Sequence, residues 1–178
     1  MRTLSFPRAI VFVVVALIVA AAPALADPPD SWITAKTKVA LMTTDGIRTA
    51  HLNVDTVKGI VTLHGQVPTA EQKAKAQDVA MKVDGVKSVK NLLQVVPSSE
   101  RKVVNKSDDE IKKALDNAFD NHKILKDSGI KVESVNNGVV LLSGTTKSHA
   151  AYVQSVEVAD AVPGVKRVSS EVVLEPGS

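Results

Sequence analysis

The sequence contains one short pattern twice, and this repetition is the feature that most constrains the fold. The segment GIVTLHG occupies residues 59–65, and GVVLLSG occupies residues 138–144 with four of seven letters identical. Because self-similarity at a fixed displacement is the mark of a repeated structural unit, we expect two copies of one small fold. Three glycines recur at a displacement of 79 residues, so that Gly59, Gly65 and Gly85 become Gly138, Gly144 and Gly164.

The limits of the two copies follow from the matching positions. Upstream of the repeated pattern the displacement is 78 residues, since Ile33 matches Ile111 and Val54 matches Val132. We expect the extra residue of the second copy in its hairpin turn, because surface connections tolerate changes of length. The sequence predicts one unit at residues 30–96, a second at residues 107–176, and a polar, charged linker at residues 97–106.

Each copy shows the same order of secondary-structure patterns. An amphipathic helix comes first, and Ser107 with the acids 108–110 is expected to open it in the second copy. A hairpin of alternating residues follows, then a helix capped by Thr69 or Ser148, and then a last strand. The predicted fold is therefore α/β, with two repeats of an α-β-β-α-β unit. Each unit is expected to have a three-stranded mixed sheet with both helices on one face.

The N-terminal residues predict export. Residues 1–8 carry two arginines and no acid, residues 9–22 are all apolar, and the segment ends in Ala24-Leu25-Ala26. This order is typical of a secretory signal peptide at residues 1–26, with cleavage expected after Ala26. The alternative is an uncleaved membrane anchor, which the short apolar run and its proline disfavour. We therefore expect the protein in the periplasm.

The composition excludes several ways of building and using such a chain. It has no cysteine, so each exported unit must be stabilised by its core and not by disulfides. With one tryptophan and one tyrosine, that core must be mainly aliphatic. Residues 27–178 carry 20 basic and 19 acidic residues, a net charge of +1. This balance argues against nucleic-acid binding, which requires a basic face.

Three ordered segments in each copy resemble the BON domain. They are DSWITAKTKVAL, GIVTLHG and VDGVKSVKNLLQV in the first copy, and SDDEIKKALDNAF, GVVLLSG and VPGVKRVSSEVVL in the second. The resemblance implies an α/β binding domain of exported bacterial proteins, often in tandem, including the osmotically inducible periplasmic proteins. It further implies attachment to phospholipid surfaces and a role in envelope stress. The six repeated glycines match the hallmark glycines of that family, which are backbone positions and not ligands.

The residues give no indication of catalysis. The sequence lacks a thiol nucleophile and the GxSxG, HExxH, P-loop and GxGxxG motifs. Its four histidines occupy different positions in the two copies, so we interpret them as surface or loop residues and not as metal ligands. We expect no cofactor, no metal and no enzymatic activity. The histidines are His51, His64, His122 and His149.

The first helix of the first copy carries a second apolar stripe opposite its core face. The stripe consists of Trp32, Ala35, Val39 and Met42, and Lys36 and Lys38 flank it. The matching positions of the second copy are Glu110, Lys113, Asn117 and Asp120. Two interpretations remain open. The stripe packs against the other unit or a second chain, or it is a docking surface for lipid or for a client protein.

The two copies also differ in charge. Residues 30–96 carry a net charge of +3, and residues 107–176 carry −3. This asymmetry either attracts the two units to each other or places the first unit against anionic lipid, where each basic side chain contributes about 1 kcal/mol. The expected partner is an anionic phospholipid surface or an envelope protein, bound peripherally, with a chaperone for unfolded clients as the alternative. The candidate lysines are Lys73, Lys75, Lys82, Lys87 and Lys90.

Overall fold

The computed structural model describes residues 27–176, and the predicted signal peptide lies outside them. Two units follow each other with the same order of elements. The first contains α1 (Asp30–Met42), β1 (Leu52–Val57), β2 (Ile60–Val67), α2 (Ala70–Met81), β3 (Ser88–Asn91) and β4 (Gln94–Val95). The second contains α3 (Arg101–Asn121), β5 (Ile130–Asn136), β6 (Val139–Thr146), α4 (His149–Asp160), β7 (Arg167–Ser170) and β8 (Val173–Leu174). The prediction of a tandem α/β fold is confirmed.

The central strand organises each sheet. In the first unit β2 pairs antiparallel with β1 on one side and parallel with β3 and then β4 on the other. In the second unit β6 pairs in the same way with β5, β7 and β8. The predicted last strand is therefore present but interrupted. In the first unit the interruption falls at residues 92–93, where Leu93 is fully buried and joins the core.

Both units have a separate aliphatic core between their helices and one face of their sheet. Thr69 and Ser148 cap α2 and α4 as predicted, because their side chains accept hydrogen bonds from the amides of Gln72 and Ala151. The first core consists of Ile33, Leu41, Val54, Val61, Leu63, Val67, Ala76, Ala80 and Leu93. The second contains Ile111, Leu115, Phe119, Leu125, Ile130, Val132, Val140, Leu142, Ala151 and Ala159. No helix within residues 27–176 has the length and apolarity needed to span a bilayer.

The extra residue of the second unit lies in a strand, which corrects the prediction that it lies in the turn. Both hairpins have two-residue turns, since Val57 pairs with Ile60 and Asn136 pairs with Val139. All four turn residues have positive φ, the conformation of a type I′ turn that matches the strand twist. The register instead shifts between Val132 and Ser134. An edge strand can take up one residue as a bulge and leave the tight turn unchanged.

The first helix of the second unit begins earlier than the sequence indicated. α3 starts at Arg101, so its first turns occupy the second half of the predicted linker. Ser107 consequently lies inside the helix and is not its cap, which corrects that prediction. The segment RKVVNK contains neither glycine nor proline, and nothing in it prevents helix formation. The connection between the units is therefore the turn at residues 97–100 followed directly by helix.

Candidate functional site

The apolar stripe of α1 is exposed. Residues on the opposite face of the helix, including Ile33 and Leu41, are buried in the core of the first unit. The relative exposure is 37% for Trp32, 59% for Val39 and 70% for Met42. The second unit does not cover these side chains, so of the two interpretations the packing against the other unit is excluded. A second chain, a lipid surface or a client protein remains.

A shallow groove lies along the stripe. It has a volume of about 560 Å³, and Trp32, Ala35 and Val39 form one wall, while Val83 and Asp84 from the segment after α2 form the other. The Lys36 ammonium lies 3.8 Å from the centroid of the Trp32 ring, a cation–π contact that keeps charge beside the apolar wall. Lys38 lies on the other side of the stripe, where it borders a smaller hollow together with Met42.

The five candidate lysines do not form one patch. Lys73 lies on α2, and Lys82 follows its C-terminal end. Lys75 Nζ donates to the backbone oxygen of Asp45 at 2.8 Å. Lys87 Nζ lies 2.6 Å from the Asp27 carboxylate, which raises the pKa of Lys87. Lys90 Nζ donates to the Ser170 oxygen at 3.2 Å and therefore lies at the junction with the second unit. The structure thus separates Lys90 from the other four.

The repeated glycines have structural positions. All six have positive φ, and at Gly65 the value is +114°. A Cβ on Gly65 would collide with the carbonyl oxygen of His51, and one on Gly144 would collide with that of Gly129. The backbone just before β1 or β5 therefore lies directly against the central strand, which only a glycine at this position allows.

An aspartate in the first helix of each unit binds the hairpin turn. The Asp108 carboxylate, 6% exposed, accepts the amides of Asn137 at 2.7 Å and Gly138 at 2.9 Å. Asp30 accepts the amides of Lys58 and Gly59 at 2.7 and 2.8 Å. The interpretation of Asp108 as a helix-opening acid is therefore wrong, because it lies within α3 and its carboxylate is committed to the turn. The sequence signal was present, since Asp30 and Asp108 match at a displacement of 78 residues.

The two units meet through the sheet face that does not contact the helices. On β2 the side chains of Thr62, His64 and Gln66 are at most 5% exposed, although they point away from the core of their own unit. Ser134 on β5 contacts His64, and its cross-strand neighbour Leu141, 1% exposed, shares the same face. This face of the second unit therefore covers the polar face of the first.

A chain of hydrogen bonds crosses this junction. His64 Nε2 lies 2.7 Å from a carboxylate oxygen of Asp55, and His64 Nδ1 lies 2.9 Å from the Ser134 hydroxyl. The carboxylate can only accept, so Nε2 carries a hydrogen, and in the neutral imidazole Nδ1 then accepts from the Ser134 hydroxyl. Ser134 in turn accepts from Asn136 at 3.2 Å. The hydrogen bond from His64 lowers the pKa of Asp55. The expectation that all four histidines are surface or loop residues is wrong for His64.

Further hydrogen bonds hold the units together. Gln66 Nε2 donates to Asn105 Oδ1 at 2.8 Å, which ties β2 to the N-terminal part of α3. The hydrogen bond from Lys90 to Ser170 connects β3 of the first unit with β7 of the second. Glu171, beside this contact, has a raised pKa because burial disfavours its charged form. Among residues 27–176, no three His, Asp or Glu side chains are placed to hold a metal ion.

The comparisons with known proteins match both units. The family model described as the BON domain matches residues 29–97 and 107–176. The osmotically-inducible protein Y of Escherichia coli is 39% identical over 147 residues, which are 80% of this chain and 71% of that protein. The outer membrane lipoprotein DolP of Haemophilus influenzae is 32% identical over 117 residues, which are 66% of this chain and 59% of that protein. The chain thus spans less than two thirds of the length of DolP.

The solved structures give weaker matches. The C-terminal domain of CdsD, a structural protein of the type III secretion system of Chlamydia trachomatis, is 18% identical with a TM-score of 0.33. That match covers 84% of this chain and 68% of the CdsD chain. A second CdsD structure is 13% identical with a TM-score of 0.35, over 80% of this chain and 91% of the other. Likenesses this low carry no functional information.

Proposed function

Because the chain belongs to the BON-domain family, we propose that it is a non-enzymatic periplasmic protein that binds phospholipid surfaces during envelope maintenance or stress. The predicted signal peptide supports the location, and the names of the two relatives refer to osmotic induction and to the outer membrane. The lipid contact is assigned to α1. The family match alone would not support this assignment, because a fold can serve many functions.

The exposed stripe of α1 is the observation that carries the proposal. A small domain with a complete core has no structural need for an apolar outer face. Its unit has that core on the opposite side of α1, and the matching helix α3 has charged or polar residues where the stripe is apolar. Trp32 is half-exposed at one end of the stripe, and an amphipathic ring of this kind suits the headgroup level of a bilayer.

Lysines near the stripe support an anionic surface. Lys36 and Lys38 are exposed on α1 itself, and Lys82 is exposed after α2, close to the Val83 and Asp84 wall of the groove. Each basic side chain that reaches an anionic bilayer contributes about 1 kcal/mol. Lys90 takes no part in this proposal, because it contacts the second unit.

A chaperone or adaptor that binds client proteins through the same stripe is the second candidate function. The same exposure of Val39 and Met42 favours it, since an apolar helix face also fits an unfolded apolar segment. Salt separates the two candidates. Attraction of lysines to anionic lipid weakens as salt screens the charges, whereas apolar client binding does not.

The single tryptophan provides the test. Trp32 emission is recorded while the protein is titrated with vesicles of phosphatidylglycerol and, separately, of phosphatidylcholine, at low and high salt. We expect a blue shift with phosphatidylglycerol vesicles that is lost at high salt. The variant Val39→Asn, which copies Asn117 of the matching helix, should abolish the shift without affecting folding, because Val39 is 59% exposed.

The matched control is Val153→Asn. Val153 is also exposed, at 39%, but it lies on α4 of the second unit. This variant should leave the emission shift unchanged. Equal responses to the two vesicle types, or equal losses in the two variants, would exclude lipid docking through α1.

A further inference from the structure

A second groove lies at the junction of the two units, away from α1. It has a volume of about 400 Å³, within the roughly 300–1,000 Å³ of small-molecule pockets, which often occur where domains meet. The first unit contributes the β1–β2 hairpin and β3, and the second contributes the end of β7 together with β8. The lining residues are Val57, Lys58, Ile60, Thr62, Lys90 and the segment 170–174.

The groove has an apolar part that neither core explains. Ile60 is 44% exposed and Leu174 is 45% exposed, and they come from different units. Val57 and Val173 extend the same lining, and both are only partly buried. Large apolar side chains from two units that meet in one concave surface indicate a ligand with a hydrocarbon portion.

The charges of the groove favour an anion. Lys58 and Lys90 line it, opposed by the carboxyl group of Glu171. The backbone of Lys58 is fixed beside the groove because the Asp30 carboxylate accepts its amide N–H at 2.7 Å, and its side chain is exposed. Lys90 Nζ is held by the Ser170 oxygen at 3.2 Å and retains two further hydrogens for a ligand. Two ammonium groups beside an apolar lining match one anionic head on one alkyl chain.

We propose that this groove binds a single-chain anionic amphiphile of the long-chain carboxylate class. Its carboxylate lies between Lys58 and Lys90, and its chain lies over Ile60 and Leu174. This site is distinct from the α1 stripe in residues and in ligand, since it takes one monomeric molecule and not a membrane surface. It goes beyond the proposed function and does not depend on it.

The test is a titration of the ¹⁵N-labelled full chain with dodecanoate below its micelle concentration, followed by NMR. We expect the amide shifts to concentrate around Ile60, Lys90 and the segment 170–174. Butanoate, which lacks the chain, and dodecyltrimethylammonium, which has the opposite charge, should each bind at least about tenfold more weakly. Shifts confined to α1, or equal binding of the two dodecyl compounds, would overturn the proposal.

Matched variants test the charges. Lys58→Asn removes one ammonium and suits the backbone, because Asn137 occupies the matching turn position with φ of 48°. It should weaken dodecanoate binding about three- to fivefold, in line with a partly exposed charge pair. Lys126→Asn makes the same change of net charge at an exposed lysine outside the groove and outside the α1 surface, and it should have no effect. Glu171→Gln removes the opposing carboxylate and should tighten binding.

Two outcomes of the variants would also count against the site. Equal weakening by Lys58→Asn and Lys126→Asn would show that only net charge attracts the ligand. A loss of dodecanoate binding in Val39→Asn would place the ligand on the α1 stripe. If vesicle docking fails but this pattern of variants holds, the groove stands without the proposed function.

Discussion

Single aspartates connect helix and hairpin in both units. Asp30 and Asp108 each accept hydrogen bonds from two amides of the hairpin turn. Without the carboxylate, these amides would have no protein partner there. Hydrogen bonds to a charged acceptor are stronger than neutral ones, and Asp108 is the more buried of the two. The carboxylate therefore ties the first helix of each unit to the hairpin turn.

The variant Asp108→Ala should lower the free energy of unfolding by about 2–4 kcal/mol, because two amides in a buried turn lose a charged partner. Urea unfolding followed by circular dichroism measures the effect. Asp109→Ala is the control, since Asp109 is exposed next to it, and should change the free energy by less than about 0.5 kcal/mol. Equal effects of the two variants would show that the turn contact contributes nothing.

Residue-level predictions succeeded where the partner is close in sequence. The caps Thr69 and Ser148 bind amides three residues ahead, so their role follows from local pattern alone. Asp108 binds amides 29 and 30 residues away, and His64 binds Ser134 at a separation of 70. Such partners are set by tertiary packing, which no local rule encodes. The correspondence of Asp30 with Asp108 could nevertheless have indicated a shared role.

At the level of elements, α3 replaces most of the expected linker. Its N-terminal turns extend beyond the second core and contact the first unit through Asn105. Polar, charged residues such as those of segment 101–106 are compatible with both a solvated helix and an irregular linker. The sequence therefore could not decide between them, and packing against the first unit does.

Proline substitutions at two positions test whether the segment 101–106 is helix or linker, because the cost of proline in a helix depends on its position. Lys106→Pro should lower the free energy of unfolding by about 3 kcal/mol, because it removes a hydrogen bond in the helix interior and clashes with the preceding turn. Lys102→Pro lies in the first turn and should cost less than about 1 kcal/mol. Both lysines are exposed, so side-chain loss is comparable. Thermal unfolding of the two variants provides the measurement, and equal tolerance would contradict a helix from Arg101.

The position of the bulge in β5 also could not be predicted from the sequence. Comparison of the copies located one extra residue between Val132 and Gly138 but not its position within that interval. A type I′ turn needs two residues with positive φ, so a third would change the turn type, whereas an edge strand such as β5 accepts an extra residue. The physical preference between these sites depends on the sheet edge, which becomes known only with the topology.

For the whole molecule, the junction was the least predictable feature. The alternation of β2 indicated an apolar inner face and a solvated outer face carrying Thr62, His64 and Gln66. The structure covers that outer face with the second unit, and it leaves the apolar stripe of α1 exposed. Polarity alone could not predict this arrangement, because His64 and the amide nitrogen of Gln66 reach Ser134 and Asn105 only when both units are in place.

The junction makes stability depend on pH through Asp55. The hydrogen bond from His64 lowers the pKa of Asp55 below its ordinary value of 3.8. The folded state therefore gains stability when Asp55 is ionised, above pH 3.8, and loses it as the pH falls through the lowered pKa. We expect the stability difference between the protein and Asp55→Asn to shrink as the pH falls below 3.8.

Urea unfolding between pH 2 and 7 measures this difference. The hydrogen bond from His64 is the main cause of the lowered Asp55 pKa. His64→Gln should therefore also weaken the fall in stability below pH 3.8. A loss of stability that runs parallel in the protein and in Asp55→Asn through this acidic range would show that the His64–Asp55 contact does not contribute.

The aspartate contacts also imply an order of events in time. The amides that Asp30 and Asp108 bind converge only after the two-residue turn has formed, and each lies about 30 residues from its carboxylate. Hairpins form within roughly 1–10 μs and need only local contacts, whereas docking of the preceding helix closes a longer loop. We therefore expect the hairpin of each unit to form before the first helix docks against its turn.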